Sequence, residues 1–427
     1  MSGGVDSSVA AALLQEQGYS VVGVFMKFWS PDMGGECLWK EEREDAMRVA
    51  AKLNIPLLTW DFRKEYEQKV VDYMISSYKA GITPNPDLMC NKEIKFGMFF
   101  DKAIAEGADF VATGHYARIW NVTSCHSERS EESRSGKRQI GDDFGLRLDP
   151  SAVPQDDYKN NTVIRSPDST QGVPFGARDH NKNNNNLTIE QFNNYELQKA
   201  VDLNKDQSYF LYLLEQRHLE KTLFPIGELT KPEVRELAKK FGLATADKKE
   251  SQGVCFIGPL KMKKFLTEQI KPKKGIIKHV DGRILGEHDG VYYYTIGQRH
   301  GFDLKLGGGP YFVVSKDVES NLLIVGEEKD LYSNKAILSN VHWIGEVPEL
   351  PVKLSVKPRY RAEETEATLV SYELRSMNYG KLSQGKSVIH NSKYILRFDH
   401  PVRALTPGQA VVFYGGKVVL GGGTITR

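Results

Sequence analysis

Long apolar runs, cysteine and an excess of one charge are all scarce in this chain of 427 residues. No apolar run approaches the roughly 18 residues of a bilayer-spanning helix, and no signal-peptide pattern stands before the first motif. A cytoplasmic protein with no membrane partner is therefore expected. The four cysteines, Cys37, Cys90, Cys125 and Cys255, form no C-x-x-C pair, so neither a zinc site nor a disulfide scaffold is expected. The 57 Lys plus Arg nearly balance 55 Asp plus Glu, which excludes a globally polycationic protein. The balance shifts from Lys335 onward, where 13 Lys plus Arg face 7 Asp plus Glu. That local excess favours a polyanionic partner at the C-terminal end.

The most informative stretch present is Met1-Ser2-Gly3-Gly4-Val5-Asp6-Ser7-Ser8. Adjacent glycines let the backbone turn sharply and approach a ligand closely. The following Val9 to Leu14 run is a strong helix former, closed by Gly18. A glycine-serine turn feeding a helix N-terminus offers free N–H groups and the positive end of a dipole, which suits phosphate. The turn lacks the lysine of G-x-x-x-x-G-K-[ST]. Counter-charge must come from Mg²⁺ or from a distant Lys or Arg.

Downstream, Tyr19 to Phe28 reads as a strand, Glu41 to Leu53 as a helix and Pro56 to Asp61 as a strand. Lys64 to Lys79 reads as a helix, Gly81 to Asn91 as a Pro/Asn loop, Glu93 to Glu106 as a helix and Asp109 to Thr113 as a strand. This alternation predicts a parallel α/β sheet covered on both faces, with ligands beyond the carboxyl ends of the strands. A phosphate loop of this kind should follow a strand. A true start upstream of Met1, or a sheet lacking one strand, is therefore expected.

Residues 121–196 are polar and biased, with runs such as Asn183-Asn184-Asn185-Asn186, and read as a mostly disordered insertion into one domain. Thr230-Lys231-Pro232-Glu233 has capping-box spacing and opens a helix to about Phe241. Beyond Pro272 the helices stop. Short alternating runs with glycine turns, among them Gly290 to Gly297 and Pro310 to Ser315, predict small β-barrels. The expected organisation is a catalytic α/β domain over 1–270, a central β domain over 271–334 and a C-terminal β-barrel over 335–427.

Cys90 lies in Asn85-Pro86-Asp87-Leu88-Met89-Cys90, three residues after Asp87, and Cys255 lies in Gly253-Val254-Cys255-Phe256. Either cysteine read alone is a small buried hydrophobe. Two in polar loops near a nucleotide loop could exchange a disulfide or hand on a sulfur. Asp87 reads as an acid/base group or a loop cap. His115, after Gly114 at a strand end, reads as facing the ligand crevice or as a structural histidine.

The first loop resembles that of the N-type ATP pyrophosphatases, which also admits GMP synthetase and argininosuccinate synthase. Six stretches in order narrow the resemblance: Asn85 to Phe96, Ala112 to Arg118, Lys205 to Leu211, Gly253 to Gly258, Tyr294 to Arg299 and Pro407 to Gln409. Together they resemble the tRNA-specific 2-thiouridylase family over nearly the whole chain outside the insertion. The resemblance implies an ATP-pyrophosphatase domain followed by smaller β domains, and ATP-dependent replacement of O2 by sulfur on the wobble uridine of tRNA. It implies a persulfide on Cys255, Cys90 as partner nucleophile with a Cys90–Cys255 disulfide left behind, and Asp87 as acid/base beside the uracil. Nucleotide contacts would fall on Met1, Ser2, Gly3, Gly4, Val5, Asp6, Ser7, Ser8, Met26 and Gly114, with Mg²⁺ accompanying ATP. Contacts to tRNA would fall on Asn85, Pro86, Asp87, His115, Lys205, Asp206, Gln207, Arg359, Tyr360 and Gln409. A cysteine desulfurase or sulfur-relay protein would supply the sulfur. The alternatives are amidation of the GMP synthetase type, which leaves both loop cysteines unexplained, and a tRNA- or nucleotide-binding module without catalysis.

Overall fold

The computed structural model describes residues 1–29, 38–122, 163–165, 195–249, 262–301, 310–372 and 393–426. Cys37, Cys125 and Cys255, and most of the expected insertion, lie outside the described residues.

Helix α1 (Val5–Glu16) starts directly from the glycine turn. Its alanines let it pack closely: Val5, Val9, Ala10 and Ala12 form one core with Ile226 and with Val234 and Ala238 of the helix Lys231–Lys240. Leu14 is buried on another side against Val21; each such side chain contributes about 1.5–3 kcal/mol. Strand β1 (Ser20–Lys27) follows, then α2 (Leu38–Leu53) and β2 (Leu57–Asp61), which pairs parallel with β1. Strand β3 (Val111–Ala112) pairs parallel with the short β7 (Thr222–Leu223) further along the chain.

Between these two parallel pairs the order is interrupted. Strand β5 (Val163–Arg165), from within the expected insertion, pairs antiparallel with Ser20 to Val22 and runs alongside β3. Strands β4 (Ala117–Asn121) and β6 (Tyr195–Lys199) bracket the insertion and pair antiparallel, so Asn121 and Tyr195 are ladder residues rather than insertion.

Three sequence expectations need correcting. Residues 81–91 are not a single loop: Asn85 caps a helix that Pro86 opens, through Pro86–Met89 and the wide π turns of Cys90–Phe99 into Phe100–Ala105. Proline at the first helical position loses no intrahelical bond, which is why it starts this helix. The expected strand over Asp109 to Thr113 is only two residues long. The Gly290 to Gly297 run contains a 3₁₀ turn, Val291–Tyr293, and no strand.

A four-stranded sheet follows, from β8 (Gly275–His279), β9 (Ile284–His288), β10 (Phe312–Asp317) and β11 (Leu322–Gly326), in the order β10-β11-β8-β9. Then come β12 (Tyr332–Trp343), β13 (Val352–Lys357), β14 (Thr365–Tyr372), β15 (Lys393–Arg403), β16 (Ala410–Gly415) and β17 (Val418–Ile425). Pairing of β12 with β17 closes these six into a barrel. Alternation with period two decides its faces. Val411 and Phe413 join Leu354, Val356, Leu369 and Leu396 inside. The intervening Ala410, Val412 and Tyr414 pack outward on Tyr209, Leu211 and Tyr212. The β4–β6 hairpin also pairs with β17, so barrel and α/β unit share one sheet.

Candidate active site

The glycine turn is built to be approached. Gly3 has φ +72°, and a Cβ there would lie 2.2 Å from the Glu42 carbonyl oxygen. Gly4 has no side chain to cap the start of α1, and its own N–H donates weakly to Ser2 Oγ (3.4 Å). Hydroxyls close the turn: Ser2 N donates to Ser7 Oγ (3.1 Å), and Ser8 Oγ donates to Gly4 O (2.8 Å). The Met1 nitrogen donates to Val24 O. Met1, Ser7, Val24, Ala112 and Gly114 line a cavity beside the turn. A Cβ on Gly114 would lie 2.6 Å from Ser7 N, so the strand end touches the turn directly. Met26 sits near the carboxyl end of β1, opposite Trp60.

Two lysines reach this loop from far along the chain. Lys231 Nζ lies 2.7 Å from Asp6 Oδ1, which also accepts from Tyr116 OH at 2.9 Å. Lys248 Nζ donates to Gly3 O (3.1 Å) and pairs with Asp45 (2.5 Å). Arg235 holds the backbone carbonyls of Ala246 and Lys248. Two distant cations thus contact the turn, each through the protein's own acceptors. Sequence pattern assigns no charge role to Lys231, which stands in a capping box, or to Tyr116 and Lys248. Nothing local marks them, since 225 residues separate Lys231 from Asp6.

Cys90 is a free thiol, but it is not in a polar loop. It is 1 % exposed, in a core with Tyr66, Val70, Ile94 and Phe265. Burial pushes its thiol above the usual range and the Asp87 carboxylate adds to this, while the Lys95 cation and a hydrogen bond from Tyr66 oppose. Wide π turns, rare and concentrated at functional sites, run from Cys90 through Lys95. Asn85 Oδ1 accepts from Leu88 N (3.3 Å). The cap is therefore Asn85, not Asp87, which lies in the first helical turn one turn before the thiol.

His115 is buried between Phe96 and Phe224 rather than facing open solvent. Its Nδ1 lies 2.6 Å from Thr113 Oγ1 and its Nε2 3.5 Å from Lys95 Nζ. Burial, then the Lys95 charge, holds its pKa well below 6.5, so the ring is neutral at pH 7. Lys95 therefore stands between Cys90 and His115. Replacing Lys95 with Met removes the charge that favours the thiolate. The pH profile of Cys90 alkylation by iodoacetamide, read by peptide mass spectrometry, should then move to higher pH. Lys95→Arg should leave it near wild type.

The remaining expected contacts converge from the barrel side. Asn91 Nδ2 donates to Phe210 O (3.1 Å), and the Phe210 ring packs on Tyr360 at 4.4 Å. Arg359 beside it is exposed. Asp206 is buried, its carboxylate accepting from Ala200 N, Ser208 N and Ser208 Oγ. Gln207 exchanges hydrogen bonds with the Tyr116 backbone. Lys205 is half-buried at the same turn. Gln409 Nε2 donates to Thr83 O (3.0 Å) and Pro84 O (3.1 Å). Among the described residues, no group of three or more His, Cys, Asp or Glu side chains could hold a metal ion, and no helix is long and apolar enough to cross a membrane.

Three family models match the chain in order. Residues 1–140 and 172–259 match a tRNA methyl transferase HUP domain, and 263–327 match a tRNA methyl transferase PRC-barrel domain. Residues 379–425 match an aminomethyltransferase beta-barrel domain. The tRNA-specific 2-thiouridylase MnmA 2 of Geobacillus kaustophilus is 41% identical over 430 residues, covering 100% of this chain and 93% of that protein. The tRNA-specific 2-thiouridylase MnmA of Geobacillus thermodenitrificans is likewise 41% identical with the same coverage, and that of Bacillus anthracis is 39% identical. A glycine turn at a helix N-terminus, a buried thiol one helical turn from Asp87 and a closed barrel whose Tyr360 packs on Phe210 agree with that likeness. The chain belongs to the tRNA-specific 2-thiouridylase family.

Proposed function

We propose that this chain thiolates C2 of the wobble uridine of tRNA, with ATP consumed to AMP and pyrophosphate. The observation that carries the reading is a run of contacts: Gly114 lies against the glycine turn, its neighbour His115 lies beside Lys95 on the helix that bears Cys90, and Asn91 of that helix donates to Phe210, which packs on Tyr360 of the barrel. What supports ATP here is the start of α1, which Gly4 leaves without a side-chain cap of its own. Residues Met1 to Ser8, Met26 and Gly114 would hold the nucleotide. Lys231 and Lys248 hold the turn through Asp6 and the Gly3 carbonyl, and Mg²⁺ would accompany the phosphates. What ATP supplies is a leaving group, because a uracil C2 oxygen does not leave unaided.

The sulfur steps balance as follows. The terminal sulfur of a Cys255 persulfide bonds to uracil C2, and O2 departs on AMP. The Cys90 thiolate then attacks Cys255 Sγ. The persulfide S–S bond breaks, and its electron pair stays on the sulfur bound to C2. A Cys90–Cys255 disulfide remains, which two electrons from an external thiol reduce, and a persulfide donor recharges Cys255. The stretch bearing Cys255 is anchored on both sides of this region. Lys248 holds the nucleotide turn, and Met262 packs on the cluster that contains Cys90. Because Cys90 is buried, its attack requires the π turns to open when tRNA is seated. Asp87 would exchange protons with the uracil.

Lys205, Arg359 and Tyr360 are the side chains proposed to meet tRNA, with Asn85, Pro86 and Asp87 beside the flipped base. The buried Asp206 and His115 and the half-buried Gln207 hold this surface in place. Phosphate contacts of this kind position RNA without reading its sequence. The test is AMP release with and without unmodified tRNA. Release dependent on tRNA is expected. Tight ATP binding with no tRNA-dependent AMP would overturn the enzyme reading in favour of a binding module.

A further inference from the structure

The motifs Tyr294 to Arg299 and Pro407 to Gln409 have no role in the chemistry above, yet they meet at one point. That point is Thr83-Pro84, immediately before Asn85-Pro86-Asp87. Thr83 is buried at the junction of three units. Its backbone N–H donates to Pro407 O of the barrel (3.1 Å). Its hydroxyl lies 3.5 Å from the Thr295 hydroxyl of the central unit. Its carbonyl and that of Pro84 both accept from the Gln409 amide.

Two glycines make the approach possible. Gly408 has φ +92°, and a Cβ there would lie 2.6 Å from Thr83 O. Gly297 has φ +83°, and a Cβ would lie 2.8 Å from Ala404 Cβ. The two acceptors fix the orientation of the Gln409 amide, since only the nitrogen can satisfy two carbonyl oxygens.

We propose that Gln409 is a positioning residue. By holding the Thr83 and Pro84 carbonyls it ties the loop that presents Asp87 to the barrel, so that seating tRNA on the barrel sets where Asp87 stands. This inference rests on the proposed thiolation for its kinetics but not for its geometry. Both side-chain hydrogens of Gln409 are already spent within the chain, so in this state only its Oε1 could accept from tRNA.

The experiment compares Gln409→Glu, which keeps the shape and loses both donors, with Gln409→Met, and uses Arg359→Ala as the contrast. Hydrogen–deuterium exchange of the free protein should be faster in the peptide covering residues 82–90 for both Gln409 variants, and unchanged in Arg359→Ala. At saturating tRNA, kcat should fall about tenfold, as expected for losing two modest hydrogen bonds that fix geometry. The Kd for tRNA should stay within about twofold by the same reasoning, since no contact to RNA is removed. Unchanged exchange in residues 82–90 would overturn the proposal. So would a weakened Kd with kcat intact, which would make Gln409 a direct tRNA contact. If wild type itself fails to thiolate tRNA, the exchange result still decides whether Gln409 holds the loop.

Discussion

Replacing Cys255 with Ser should abolish 2-thiouridine while leaving ATP–pyrophosphate exchange intact. Adenylation needs only the nucleotide turn, Gly114 and a seated uracil, whereas thiolation needs a sulfur atom that serine cannot carry. The readout is liquid-chromatography mass spectrometry of tRNA nucleosides from a deletion strain carrying the variant. Persistent 2-thiouridine would remove Cys255 from the reaction. Cys90→Ser should differ in kind. Without an internal thiolate to break the S–S bond, and with no added reductant, tRNA should stay joined to Cys255 through a bond that dithiothreitol releases. The two cysteines are therefore separable by product, not only by rate.

Gly114→Ala should reduce tRNA-dependent AMP release by about a hundredfold, the scale that a misplacement near 1 Å produces in a reacting geometry. The added methyl would lie 2.6 Å from Ser7 N and 2.7 Å from the Asp6 carbonyl carbon. Both are backbone atoms of the nucleotide turn, so neither can swing aside as a side-chain tip would. The turn must shift, and with it the N–H groups at the start of α1. Gly107→Ala, where nothing lies within 4 Å of the new Cβ, is the contrast. Its φ of +88° makes it mildly destabilising, but it should leave AMP release at saturating ATP near wild type.

The parts of the molecule legible in the sequence are those written in local pattern. The run Pro310 to Ser315 marks a strand, found as Phe312–Asp317, and the spacing Thr230 to Glu233 marks a helix start that the structure bears out with Lys231–Lys240. The glycine turn announced itself because glycine is needed where backbone meets backbone. What stayed hidden is set by contacts distant in sequence. Cys90 looks polar from its neighbours Asp87, Asn91 and Lys92. The helix opened by Pro86 nevertheless turns the thiol into a core built by Tyr66 and Phe265. The pairing of Lys231 with Asp6, and the docking of Gln409 on Thr83 across 326 residues, leave no periodic trace. The sharing of one sheet between β4, β6 and the barrel was hidden for the same reason: the strands flank a polar insertion, and their partner β17 lies at the other end of the chain.

The account depends on Cys90 and Cys255 meeting at an activated uracil. The most direct measurement is a single turnover without reductant, starting from persulfide-loaded protein, ATP and unmodified tRNA. Non-reducing peptide mapping then counts the Cys90–Cys255 disulfide while nucleoside analysis counts 2-thiouridine. The account predicts that the two appear together in equal amounts. Formation of 2-thiouridine with Cys90 still a free thiol would contradict it.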